Sequence, residues 1–220
     1  MTKTVAITMA RQLGSGGSCI AQQVAKRLGY AFIDRQILEQ AAKVLEIEES
    51  EVESREGRLQ SFWEKWVSGF AMGAPCTLYP APLRWVSDEH LEQIERRLVT
   101  ELAVKGNCVV LGRGGFHVLR GKVRLVNVMV HAPLEFRVER VMNIYHARNK
   151  TEAAHLIERS DHDRRRYVRA FTGRDWFDCR NYHLTIDTGK IDFAAAGEMI
   201  VSFARQLPVN DAWPWVNEPF

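Results

Sequence analysis

The sequence predicts a three-layer α/β fold, a parallel sheet flanked by helices, and three observations carry that expectation. Short apolar, β-branched runs recur along the chain, at Val5 to Met9, Ala31 to Ile33, Cys108 to Leu111, Val123 to Val130 and Tyr182 to Ile186. Segments with apolar residues at helical spacing separate them, and alternation of the two types favours a parallel sheet covered by helices. A glycine-rich loop, "LGSGGS", joins the first run to the first helical segment.

Taken in order, Val5 to Met9 reads as a buried strand, and Ile20, Val24 and Leu28 supply the apolar face of the helix behind the loop. Ala31 to Ile33 is a second strand, followed by Ile37, Leu38, Ala41, Ala42 and Leu45 at helical spacing. Glu46 to Glu56 is acidic, Phe62, Trp63, Trp66 and Phe70 form an aromatic stripe, and Gly69, Gly73, Pro75, Pro80 and Pro82 then break the pattern. This stretch reads as an inserted helical lobe, its stripe serving packing, base stacking or a dimer contact. Leu91, Ile94, Leu98 and Leu102 suit a helix before the third strand, and Leu134 to Ile144 another after the fourth. The basic stretch around Arg164 extends a further helix, and Phe193 to Leu207 closes the fold. The tail from Pro208, with Trp213, Pro214 and Trp215, reads as an irregular arm.

A length of 220 residues suits one domain. Hydrophobic content of 46% and charged content of 26% are those of a folded globular chain. The formal net charge of +3 is too mild for a nucleic-acid binder unless the basic residues cluster, which they do from Arg159 to Arg174. Cys19, Cys76, Cys108 and Cys179 are widely spaced, without a metal pattern, and are expected as reduced thiols. The histidines show no zinc spacing either, so no metal ligand set is expected from the protein. With no signal peptide or long apolar run, the expected location is cytoplasmic and no membrane partner is expected.

A glycine loop between a buried strand and a helix turns backbone N–H groups inward, and the helix N-terminus adds partial positive charge; both favour a phosphate. The alternative is a tight turn into a helix with no ligand. The P-loop pattern G-x-x-x-x-G-K-[ST] requires a lysine, and aligning Gly16 with its second glycine puts Arg11 at the first, Gly17 at the lysine, and Ser18 or Cys19 near the hydroxyl. Arg11, just after the strand, is placed to return the missing charge, because guanidinium grips phosphate oxygens bidentately; the alternative is a solvated surface arginine.

Here the chain resembles the cytidylate kinase-like family, a branch of the P-loop nucleoside monophosphate kinases. The resemblance begins with "MARQLGSGGSCIAQQVAKRLG" and continues, in order, through "YAFIDRQIL", "VVLGRGG", "VHAPLEFRVERV", "ERSDHDRRR" and "YHLTIDT". It implies a helical acceptor lobe near residues 50–88 and an arginine-rich lid near 150–178. It also implies transfer of the γ-phosphoryl of ATP, with Mg2+, to a nucleoside monophosphate, CMP or dCMP first.

Residue by residue, the resemblance places Arg159, Asp163 and Arg166 at the spacing of the lid's catalytic groups. Arg166 would clamp the transferring phosphoryl, with Arg159 and Asp163 near donor and acceptor. A mobile arginine lid suits phosphoryl transfer, in which charge spreads over the transferred group. The alternative reading of that stretch is a solvated basic face, one that would make nucleic acid the partner. Gly14, Ser15, Gly16, Gly17, Ser18 and Cys19 would cradle donor phosphates. Arg113 in "LGRGG" would hold the acceptor phosphate, or be structural, and Asp34 either opens the acceptor region or caps a helix. The chain departs from the cytidylate kinases in lacking the lysine, and in reading Leu111-Gly112-Arg113-Gly114 where they carry D-G-R-D. Those departures leave open a weak kinase or a non-catalytic nucleotide sensor as the alternative.

Overall fold

A computed structural model describes residues 4–34, 36–38, 89–112 and 114–207 of the chain, with side chains in the third segment from residue 93. The acidic run, the aromatic stripe, the whole of the expected acceptor lobe and the tail lie outside the described residues.

Five parallel strands form one sheet in the order β2-β3-β1-β4-β5: β1 is Val5–Arg11, β2 Ala31–Ile33, β3 Cys108–Leu111, β4 Arg124–His131 and β5 Leu184–Asp187. The central strand β1 is the most enclosed, and its residues Val5 to Met9 are all buried. A strand covered on both faces needs apolar residues at consecutive positions, which is what V-A-I-T-M supplies. It runs two residues past the predicted end, because Ala10 and Arg11 stay in register with Met129 and Val130 of β4.

The described helices are α1 (Gly17–Leu28), α2 (Glu89–Lys105), α3 (Gly115–Val118), α4 (Leu134–Tyr145), α5 (Lys150–Thr172) and α6 (Phe193–Arg205). On one face, Ile20 and Val24 of α1 and Ile200 and Val201 of α6 pack on Ile7, Met9, Val126, Val128 and Val130. On the other, Leu98 and Leu102 of α2 pack on Ala6, Ile33 and Val110. Met129 and Phe116 join Tyr167, Val168, Trp176 and Tyr182 to seat the second half of α5. Each fully buried Ile, Leu or Val contributes about 1.5–3 kcal/mol.

Local signals set the helix limits. Gly29 ends α1 in the left-handed region at φ +65°, where it returns its N–H to the last carbonyls. Asn149 caps α5 by accepting from the Glu152 N–H at 2.9 Å, and Glu152 in turn accepts from the Arg148 N–H at 2.7 Å. Asp192 caps α6 through the Ala195 N–H at 2.7 Å. The last strand begins two residues later than the sequence predicts. Residues Cys179–Asn181 form a 3-10 turn, and the Tyr182 hydroxyl donates to the Trp176 carbonyl at 2.7 Å.

Among the described residues no helix is long and apolar enough to cross a membrane. Cys108 is buried in β3, which pushes its thiol up to about 12, whereas Cys179 is exposed. Iodoacetamide at pH 8 is therefore expected to alkylate the exposed Cys179 at least about tenfold faster than the buried Cys108, because only an accessible thiolate reacts. Peptide mass spectrometry over a time course checks this; comparable labelling of both would contradict the packing of β3.

Candidate functional site

The carboxyl ends of β1 and β3 lie side by side at the sheet's centre, and the loop from Gln12 to Gly16 carries the chain from β1 into α1. Open parallel sheets bind ligands at this edge.

Nearly every carbonyl and side chain of the loop is tied inward. The Gln12 N–H donates to the Val130 carbonyl at 3.0 Å, and the Ala132 N–H donates to Gln12 Oε1 at 3.3 Å. The buried Ser15 hydroxyl donates toward the carbonyls of Gln12 (2.9 Å) and Val130 (3.2 Å). The Thr188 hydroxyl donates to the Ser15 carbonyl at 2.7 Å. The Leu13 N–H donates to Asp161 Oδ1 at 2.9 Å. Among the described residues, the N–H groups of Gly14, Gly16, Gly17 and Ser18 have no acceptor. Four such donors at the start of a 12-residue helix make a ready anion cradle.

Two of the loop glycines are held where a side chain is strained. Gly14 (φ +83°) would bring a Cβ to 2.8 Å from the Arg137 carbonyl, and Gly16 (φ +81°) to 2.3 Å from the Phe193 ring. Phe193, the first residue of α6, thus forms the floor beneath Gly16.

Gly17 occupies the lysine position of the P-loop pattern, and the packing leaves no room for a Cβ there unless a neighbour shifts. A Cβ on Gly17 would lie 2.5 Å from the Arg11 Cβ and 3.2 Å from the Val130 Cβ. The stem of Arg11 fills the space over α1's first residue, and its Nη1 lies 2.8 Å from where a Gly112 Cβ would sit. Arg11 therefore spans from the loop to the end of β3. A small pocket of about 30 Å3 beside it is lined by Arg11, Gly112, Phe116, Arg164, Tyr167 and Trp176.

A buried ionic cluster fastens α5 to the loop. Asp161 accepts from Arg137 of α4 at 2.6 Å and from Arg164 of α5 at 3.3 Å, besides the Leu13 N–H. Arg164 also donates to the Ser160 hydroxyl at 2.7 Å. Burial lowers the Arg164 pKa, and the neighbouring Asp161 carboxylate opposes that shift. Arg140, half-buried on α4, stacks over the Phe193 ring at 4.6 Å. Its pKa is lowered by burial and raised by the field of Cys19, which puts its positive charge beside the start of α1.

The remaining predicted residues fall in three places. Arg159, Asp163 and Arg166 share one face of α5, as spacings of four and seven require, with both arginines exposed and Asp163 half-buried. The face packed on the loop is the one that carries Asp161 and Arg164. Asp34 accepts the Ile37 N–H at 3.1 Å, the geometry of a helix cap. Arg113 lies outside the described residues. Asp161, Arg164, Arg137, Arg140 and Thr188 are site residues that sequence reasoning missed. Their signal was present in "ERSDHDRRR", "VHAPLEFRVERV" and "YHLTIDT", but nothing in spacing alone says which face of a helix meets the loop.

The sequence pattern of the cytidylate kinase-like family matches residues 6–190, from β1 to just beyond β5. The chain belongs to that family. Among curated proteins it is 31% identical over 118 residues to a cytidylate kinase from Methanocaldococcus jannaschii, covering 53% of this chain and 65% of that protein. It is also 34% identical over 111 residues to a uronate isomerase from Corynebacterium glutamicum, covering 49% of this chain and 21% of that protein. The chain thus spans less than two thirds of each of these relatives. Among solved structures, an uncharacterized protein from Eubacterium ventriosum superposes with a TM-score of 0.69 at 18% identity, covering 92% of this chain and 99% of that one. The likeness is one of fold, and the sheet order, the loop and the family together make this a cytidylate kinase-like P-loop kinase fold.

Proposed function

We propose that this cytidylate kinase-like protein transfers the γ-phosphoryl group of ATP, with Mg2+, to a nucleoside monophosphate, CMP or dCMP first. The observation that carries this reading is the set of N–H groups of Gly14, Gly16, Gly17 and Ser18 without acceptors at the start of α1. Phosphate oxygens are the partners such a cradle fits.

The donor phosphates would rest on the amides from Gly14 to Cys19, and Mg2+ on phosphate oxygens with the Ser18 hydroxyl as the protein group at hand. When bound, ATP supplies the phosphoryl group and Mg2+ neutralises its charge. Arg11, spanning loop and β3, stands between donor and acceptor, and Arg140 adds positive charge at α1. Together they take over the electrostatic work of the absent lysine. Arg113 holds the acceptor phosphate, Asp34 opens the acceptor region, and the exposed Arg159, Asp163 and Arg166 close over the cleft as the acceptor lobe (near 50–88) and lid (near 150–178) come together. Preorganised cations in a dry site stabilise the transition state, and no strong base is needed for in-line attack.

The test is formation of nucleoside diphosphate from ATP, Mg2+ and each of CMP, dCMP, UMP, AMP and GMP. Turnover with CMP or dCMP is the expected result. Arg166→Ala is expected to lower that turnover by about 100-fold with little change in nucleotide affinity; unchanged turnover removes Arg166 from the mechanism. The crowding at Gly17 favours a second reading, a nucleotide sensor that binds and transfers nothing. Nucleotide binding with no turnover for any acceptor would establish it.

A further inference from the structure

A second cavity, of about 310 Å3, shares Phe116 with the small pocket beside Arg11 and otherwise has a lining of its own. Its polar lining comes from four separate pieces of chain. His117 lies in α3 and Arg120 just beyond it, Arg174 follows the glycine that ends α5, Arg180 and Asn181 sit in the 3-10 turn, and His183 precedes β5. The cavity uses Leu125 and Asn127 of β4, whereas the phosphate loop is tied to Val130. At about 3.3 Å per residue, Asn127 and Val130 are roughly 10 Å apart along the strand.

The charge balance of this cavity is positive. Arg180 is paired with Asp178 at 2.7 Å, and Arg174 donates to Asn181 Oδ1 at 2.9 Å. The Arg120 side chain makes no ion pair or hydrogen bond with the described residues, its backbone N–H alone donating to the His117 carbonyl at 3.3 Å. Partial burial lowers the pKa of His117, and the charges of Arg174 and Arg120, which line the same cavity, lower it further. Asn181 is itself buried, and its amide donates to the Asp175 carbonyl at 2.7 Å, which fixes the turn that presents Arg180. The His183 Nδ1 accepts the Asn127 N–H at 3.1 Å, leaving its Nε2 as the protonated, donating nitrogen of the neutral ring.

We propose that this cavity is a second anion site, separate from the nucleotide cleft, which takes the dianionic phosphate of a small phosphorylated metabolite on Arg120, Arg174 and Arg180. Guanidinium groups from different elements converging on one concavity suit a phosphomonoester. The volume suits one small ligand and not a polymer, and the histidines and Asn181 offer hydrogen-bonding groups to a sugar. Because Arg174 directly follows α5, an occupant also fixes the end of the helix that carries Asp161 and Arg164.

The test is calorimetric titration of the whole chain, with ATP and Mg2+ saturating the cleft, using ribose 5-phosphate, inorganic phosphate, ribose and a 12-nucleotide single-stranded DNA as probes. Ribose 5-phosphate is expected to bind tightest and ribose not at all. Arg120→Gln, an exposed change with no partner to lose, is expected to weaken ribose 5-phosphate at least tenfold and Arg120→Gln with Arg180→Gln to abolish it, with ATP affinity unchanged. Amide hydrogen exchange near the end of α5 is expected to slow on binding. Equal affinity for inorganic phosphate assigns the site to the free ion and overturns the metabolite. Tighter binding of the DNA through the same arginines overturns it in favour of nucleic acid. Wild-type affinity in both variants, or no binding at millimolar concentration, overturns the site itself.

Discussion

Asp161→Ala is expected to lower the melting temperature by roughly 6–20 °C, the equivalent of about 3–5 kcal/mol in a chain of this size. The substitution leaves Arg137 and Arg164 buried without their shared carboxylate, and it strips the Leu13 N–H of its acceptor. An unpaired buried charge is far more costly than the pair was favourable. Because the N–H left without an acceptor belongs to the glycine loop, nucleotide affinity is expected to fall along with stability. Asp161→Asn keeps an oxygen for the Leu13 N–H while losing the charge, so it falls between wild type and alanine. Thermal melts and ATP titrations of the three proteins check this order, and an alanine variant melting within about 2 °C of wild type would show that the cluster does not hold α5 to the loop.

Restoring the family lysine is expected to harm this protein. Gly17→Lys puts a Cβ 2.5 Å from the Arg11 Cβ and 3.2 Å from the Val130 Cβ, both on strand backbone that cannot yield. Overpacking of this kind costs about 1–3 kcal/mol, and the α1 N-terminus must shift away from the loop, weakening ATP binding. Alanine at position 11 would not relieve the clash, because its Cβ remains. Glycine would, so Arg11→Gly with Gly17→Lys is expected to be less destabilised than the sum of the two single variants by more than about 0.5 kcal/mol. Denaturant unfolding of the four proteins gives that coupling. A stable Gly17→Lys variant with improved ATP affinity would mean that the two positions do not exclude each other.

The strand and helix order was legible because each element advertises its own period: V-A-I-T-M for a strand covered on both faces, Ile20, Val24 and Leu28 for a helix with one. The four-residue α3 was not, since a single turn after "LGRGG" is too short to show periodicity. At the candidate site, spacing and glycine content single out the loop residues. The residues that orient the loop were missed because they act across the fold. Thr188 reaches Ser15, and Asp161 reaches Leu13, from elements far along the chain. In "ERSDHDRRR" the family spacing singled out Arg159, Asp163 and Arg166, while packing chose Asp161 and Arg164, two and five positions after Arg159 on the adjoining face of the helix. Which face turns inward is decided by Tyr167 and Val168 meeting Phe116 and Met129, a contact with no local signature.

The central place of β1 bears on how the protein is born. β1 leaves the ribosome well before its partners β3 and β4, whose pairing residues begin at Cys108 and Arg124. At about 5–20 residues per second, the nascent chain carries Val5 to Met9 unpaired for several seconds before either neighbour exists. Over that interval the segment that becomes the best-protected part of the sheet is the most adhesive part of the polypeptide, and a client for whatever shields emerging chains.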